Sequence, residues 1–193
     1  MTILTCSTGR NPLQALQQDA NNRDEARRLA GRITHLRFAN PDAPLWLVCI
    51  SGGAGIGVWA LEQLPEGVNV EGVALLAPAL SPEYDLTDAL AHVNGHLDAF
   101  SSRADWLILG AGTRIFGTMD GQYTASAGLV GFDIPPQADD SQYAKLRRRS
   151  YDSEWLLRYG YFGDHFSIAN PRFARKYLSP MLASSQTDDA IEQ

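Results

Sequence analysis

The run Leu45-Trp46-Leu47-Val48-Cys49-Ile50 stops at Ser51, and Gly52-Gly53-Ala54-Gly55-Ile56-Gly57 follows with no charged side chain. An apolar run without alternation suits a strand hidden on both faces. The small residues after it let the backbone turn sharply, and Ile56, Trp59, Ala60 and Leu64 then recur at helical spacing until Pro65 and Gly67 stop them. A strand buried on both faces needs other layers to cover it, so strand, corner and helix together restrict the chain to an α/β architecture.

The rest of the chain reads consistently with that. Ile3–Thr5, Val70–Leu76 and Leu97–Phe100 are predicted strands. Asn11-Pro12 is a helix start, and Leu13, Leu16, Ala26, Leu29, Ala30 and Ile33 give a long helical segment that ends at Asn40-Pro41. Asp85–Val93 and Tyr143–Trp155 read as helices, and Asn170-Pro171 caps a last one through about Leu182. Gly110–Pro136 is rich in Gly, Thr and Ser and reads as a loop with a short strand. The expected fold is a mainly parallel sheet flanked by helices, in one domain over residues 1–183, with a polar tail over 184–193.

A formal charge of −6 argues against nucleic acid as a partner. One basic run, Lys145-Leu146-Arg147-Arg148-Arg149, is expected as a solvated helix face, with attraction of an anionic substrate as the other reading. No apolar stretch reaches the length of a membrane span, and the N-terminus lacks the basic-then-apolar pattern of a signal peptide. Cys6 and Cys49 alone make no disulfide framework, so a reducing cytoplasm is the expected setting. No His, Cys and carboxylate spacing suggests a metal site.

Three readings of the glycine corner stand side by side. The corner can display Ser51 as a nucleophile, cradle a dinucleotide pyrophosphate, or simply pack a helix closely on a strand. Gly53, Gly55 and Gly57 alternate, which does not fit the Gly-x-Gly-x-x-Gly spacing of a dinucleotide loop. A nucleophilic serine needs a base to take its proton, and the base needs a carboxylate to orient it. Of the four histidines, His35 ends a helical segment, while His92 and His96 precede a strand. His165 lies in a loop after all the predicted strands, where it is either that base or a loop histidine without a role. Asp105 follows the Leu97–Phe100 strand, as Ser51 follows Leu45–Ile50. Asp85, Asp120 and Asp164 are the rival carboxylates.

Leu47-Val48-Cys49-Ile50-Ser51-Gly52-Gly53 resembles the nucleophile strand and elbow of the α/β hydrolases, with Cys49 in place of the first glycine. Val73-Ala74-Leu75-Leu76-Ala77-Pro78 is similar to the strand that follows it, and Leu97–Asp105 to the strand and loop that carry the acid. Gly163-Asp164-His165-Phe166 resembles the histidine loop, and the order Ser, Asp, His is the order of that superfamily. Phe116–Gly121 and Thr124–Gly128 are similar to uncharacterised bacterial members.

The resemblance implies a shortened α/β-hydrolase-like fold and a serine hydrolase, esterase-like, acting on a small carboxylic ester or related acyl substrate without a cofactor. Ser51 attacks, His165 is base and then acid, Asp105 (or Asp85) orients it, and the Gly52 N–H holds the oxyanion. The superfamily's other oxyanion donor is expected upstream of Met1. Trp106, Phe116, Tyr123, Tyr161 and Phe162 are candidates to line an acyl pocket. The alternative is a non-catalytic binding or interaction module with a degenerate site. In either case an open sheet edge offers a surface for a homodimer.

Overall fold

The computed structural model describes residues 1–8, 19–105 and 113–182. Asn11-Pro12, Leu13, Leu16, Trp106 and the 184–193 tail lie outside these. Among the described residues five strands form one all-parallel sheet: β1 (Thr2–Cys6), β2 (Leu45–Ile50), β3 (Gly72–Leu76), β4 (Leu97–Ser101) and β5 (Leu146–Ser150), side by side in chain order. The chain is therefore an α/β protein. The helices in chain order are α1 (Asp19–Ala39), α2 (Gly52–Leu61), α3 (Thr87–Ala91), α4 (Thr113–Phe116), α5 (Ala127–Val130), α6 (Asp140–Tyr143), α7 (Glu154–Tyr159) and α8 (Pro171–Phe173). The last continues through a wider turn at Ala174–Leu178. No described helix is long and apolar enough to cross a membrane.

Helices α1, α2 and α3 pack in sequence against one another, as right-handed crossovers between successive strands require. They cover the sheet face that carries Leu4, Cys6, Leu47 and Cys49, all buried. The opposite face is covered at β4 by the C-terminal segment. Phe100 meets the rings of Trp155, Phe173 and Tyr177 there, with centroids 6.0–6.1 Å apart.

Every residue of α2 is buried, and its glycines are there for close approach. A Cβ on Gly53 would overlap the backbone of Cys6 and Ser7 at the end of β1, and one on Gly57 would overlap Cys49 Sγ. Close packing thus accounts for these two glycines without a bound pyrophosphate. Gly53→Ala is expected to force β1 away from α2 and to cost about 2 kcal/mol, which urea denaturation would register as a lower midpoint.

Three expectations need correction. Tyr143–Trp155 is not one helix: α6 ends at Tyr143, and residues Leu146–Ser150 form β5 before α7 begins. The basic run is accordingly no solvated helix face. Arg149 Nε donates to the buried Asp98 Oδ1 at 2.7 Å, Arg147 meets His96 Nε2, and Lys145 Nζ donates to the carbonyls of Leu90 and Val93 at 3.1 and 2.7 Å. Arg148 reaches the Phe132 carbonyl at 3.4 Å. With these cations turned to partners inside the fold, the run is an edge strand tied to its neighbour. In the 113–136 part of the predicted loop there are two one-turn helices, α4 and α5, and no strand.

Candidate active site

Ser51 stands between β2 and α2 with φ 55° and ψ −124°, a conformation costly for any residue but glycine. Its neighbours impose it. The Ser51 N–H donates to the Leu76 carbonyl at 2.9 Å, and its own carbonyl accepts from Ala54 N at 3.0 Å and Ala79 N at 3.3 Å. Backbone of β3, of the turn after it and of α2 thus holds the residue on both sides. The side chain is half-buried at the C-terminal edge of the sheet. Ala77, at the end of β3, is the one other non-glycine described with positive φ, at 49°.

Asp105 and His165 are brought together, both about 95% buried, with His165 Nδ1 2.8 Å from Asp105 Oδ2. A carboxylate can only accept, so Nδ1 carries a proton, and in the neutral ring Nε2 is the nitrogen that keeps a lone pair. The Asp105 turn is held at Ser102: the Asp105 N–H donates to the Ser102 carbonyl at 3.1 Å and the Ala104 N–H to Ser102 Oγ at 3.2 Å. The histidine turn packs directly on it. Gly163 has φ 82°, and a Cβ there would press on Ser102 Oγ and the Ala104 methyl. Burial, and then the negative charge of Asp105, push the Tyr161 phenol well above its usual range, while a hydrogen bond with Ser102 acts the other way.

Ser51 and Asp105 follow β2 and β4, which flank β3 and lie about 10 Å apart at ordinary strand spacing, and His165 reaches Asp105 from the turn after α7. Hydrogen bonds connect the two ends. Ala79 N donates to the Ser51 carbonyl, Gly128 N to Pro78 O at 2.8 Å, and Ser102 N to Gly128 O at 2.8 Å. The Ser126–Gly128 segment was not singled out from the sequence as part of the site, although its run of small residues suits such close backbone contact. No hydrogen bond joins Ser51 Oγ to His165 among the described residues.

The rival carboxylates are engaged elsewhere. Asp85 Oδ1 accepts from Thr87 N, Thr87 Oγ1 and Tyr143 Oη at 2.9, 2.6 and 2.9 Å, and the Thr87 hydroxyl holds its carboxyl below the usual range. Asp120 accepts from Ser81 N and Oγ, and Asp164 from the N–H groups of Phe166 and Ser167. His92 Nδ1 contacts the Val68 carbonyl, and His96 adjoins the start of β4, the opposite end of that strand from Asp105.

Gly52 opens α2, so its N–H has no acceptor one turn back within the helix. The Cys6–Ser7 backbone lies against the neighbouring Gly53, a second main-chain segment at this corner that sequence reading missed. Of the aromatic candidates, Tyr161 is core, stacked on Trp155 and edge-on to Tyr151, whereas Tyr123 and Phe162 are exposed. Among the described residues no group of three or more His, Cys, Asp and Glu is arranged to hold a metal ion. Comparison with protein-family models, curated proteins and solved structures finds no match to the chain.

Proposed function

We propose that this chain is a serine hydrolase of the α/β-hydrolase type that cleaves a small carboxylic ester or related acyl compound in the cytoplasm. The observation that carries the reading is the buried Asp105–His165 hydrogen bond on the sheet edge that also bears the strained Ser51. Ser51 Oγ attacks the acyl carbon while His165 Nε2 takes its proton. Asp105 keeps the ring in the required tautomer and stabilises the imidazolium. The Gly52 N–H donates to the oxyanion. One such donor is worth about 3 kcal/mol in the transition state. His165 then returns the proton to the leaving alcohol, and water releases the acyl group by the same steps in reverse.

Among the described residues β1 is an end strand of the sheet, and its outer edge supports pairing with a second copy of the chain. One observation favours a second reading, a binding module with a degenerate site: Ser51 Oγ and His165 are not hydrogen-bonded. Catalytic hydrogen bonds are often long in unliganded enzymes and tighten with substrate, so the hydrolase reading does not require that bond here. A fluorophosphonate probe separates the two. Wild type is expected to label, and Ser51→Ala and His165→Ala to remain unlabelled. A folded wild-type protein that does not label would overturn the hydrolase in favour of the module.

A further inference from the structure

We infer that Phe166, with Phe162, forms the surface that receives the alcohol part of the ester, and that this part is apolar. The inference rests on the hydrolase reading and adds to it which portion of the substrate is selected and by which side chains. In the acylation step the Ser51 Oγ–carbon bond forms, the carbon–oxygen bond to the alcohol breaks, and His165 Nε2 delivers its proton to the departing oxygen. That oxygen must come within hydrogen-bond distance of Nε2, so the carbon chain it carries leaves the site past the histidine ring. The acyl carbonyl, by contrast, lies towards the Gly52 N–H.

The ring packed on His165 is that of Phe166, with centroids 5.7 Å apart and planes at 88°. His165 itself is buried, yet Phe166 is 70% exposed and Phe162, at the other end of the same turn, 61% exposed. Neither belongs to the aromatic cluster around Trp155, so the core does not require them. Their backbone is braced. Asp164 Oδ1 accepts from the N–H groups of Phe166 and Ser167, both at 3.0 Å, and Ser167 Oγ accepts from the Phe162 N–H at 2.9 Å. Two large apolar side chains held in water on a fixed turn mark a contact surface. Its position against the general acid selects the alcohol of the substrate as the occupant.

The test varies the alcohol at constant acyl group, comparing kcat/KM for benzyl acetate and methyl acetate. Phe166→Ala is expected to lower the benzyl-to-methyl ratio about tenfold relative to wild type. Phe166→Leu should keep part of the preference, and Leu157→Ala, an exposed apolar change on α7, should leave the ratio as it was. An unchanged ratio in Phe166→Ala, with wild type active and Ser51→Ala inactive, overturns this inference and leaves the hydrolase reading standing. An equal loss on both esters also overturns it, since Phe166 would then only position His165. A loss confined to ester above its solubility limit assigns the rings to a lipid surface instead. A wild-type protein that hydrolyses neither ester, and is not labelled by the fluorophosphonate, fails the hydrolase reading and this inference with it.

Discussion

Ser51→Gly is expected to yield a more stable protein that has lost hydrolysis. Glycine adopts φ 55° without the steric cost that serine bears there. Relief of that strain, offset by the greater freedom of glycine in the unfolded chain, leaves a gain of about 1 kcal/mol. Removing the nucleophile lowers kcat by about four powers of ten or more. Equilibrium unfolding in urea, set beside ester turnover, would show the two effects in opposite directions. Ser51→Ala serves as the control, since alanine keeps the strain and loses only the hydroxyl. If glycine and alanine variants unfold at the same denaturant concentration, the corner is not strained, and the conformational argument for a displayed nucleophile is lost.

Arg149→Ala is expected to have the largest effect on stability. Its Nε lies 2.7 Å from Asp98 Oδ1, and the Asp98 side chain is 1% exposed. Truncating the cation leaves a carboxylate buried without its partner, at a cost of about 3 kcal/mol. The double variant Asp98→Ala with Arg149→Ala removes the stranded charge and should recover much of that loss. Unfolding midpoints of the two single variants and the double one give the coupling directly. Additive losses would mean that the pair contributes little to holding β5 in place. A chain that loses β5 should also lose the histidine turn, so fluorophosphonate labelling is expected to fall in parallel.

These two sites also mark how far the sequence could be read. β2 and β3 were visible because their apolar residues run on without alternation, which reports burial on both faces from local pattern alone, and β4 showed through Leu97, Ala99 and Phe100 despite Asp98. The corner at Ser51 was visible because small residues at a strand end have few other uses. Asp105 could be matched with His165 because the one follows a strand end and the other lies in a loop after all the strands, although 60 positions separate them. β5 was hidden. Leu146-Arg147-Arg148-Arg149-Ser150 has no apolar period, and its charges are answered by Asp98, His96 and the Phe132 carbonyl. Asp98 and His96 lie about fifty residues earlier in the chain. The backbone strain at Ser51 was equally unreadable, since the bonds from Leu76 and Ala79 impose it from a neighbouring strand. Phe166 looked like any loop aromatic until its ring was found against His165.

The strands lie side by side in the order in which they are synthesised. Each new strand can therefore dock on the one just completed, and the sheet can grow vectorially on the ribosome without waiting for a distant partner. The groups of the proposed site follow the same schedule: the serine corner is complete once the third strand has docked, the carboxylate turn forms with the fourth, and the histidine arrives after the fifth. On the proposed hydrolase reading, a nascent chain carries an unarmed serine until the imidazole docks, and chemical competence comes late in biosynthesis.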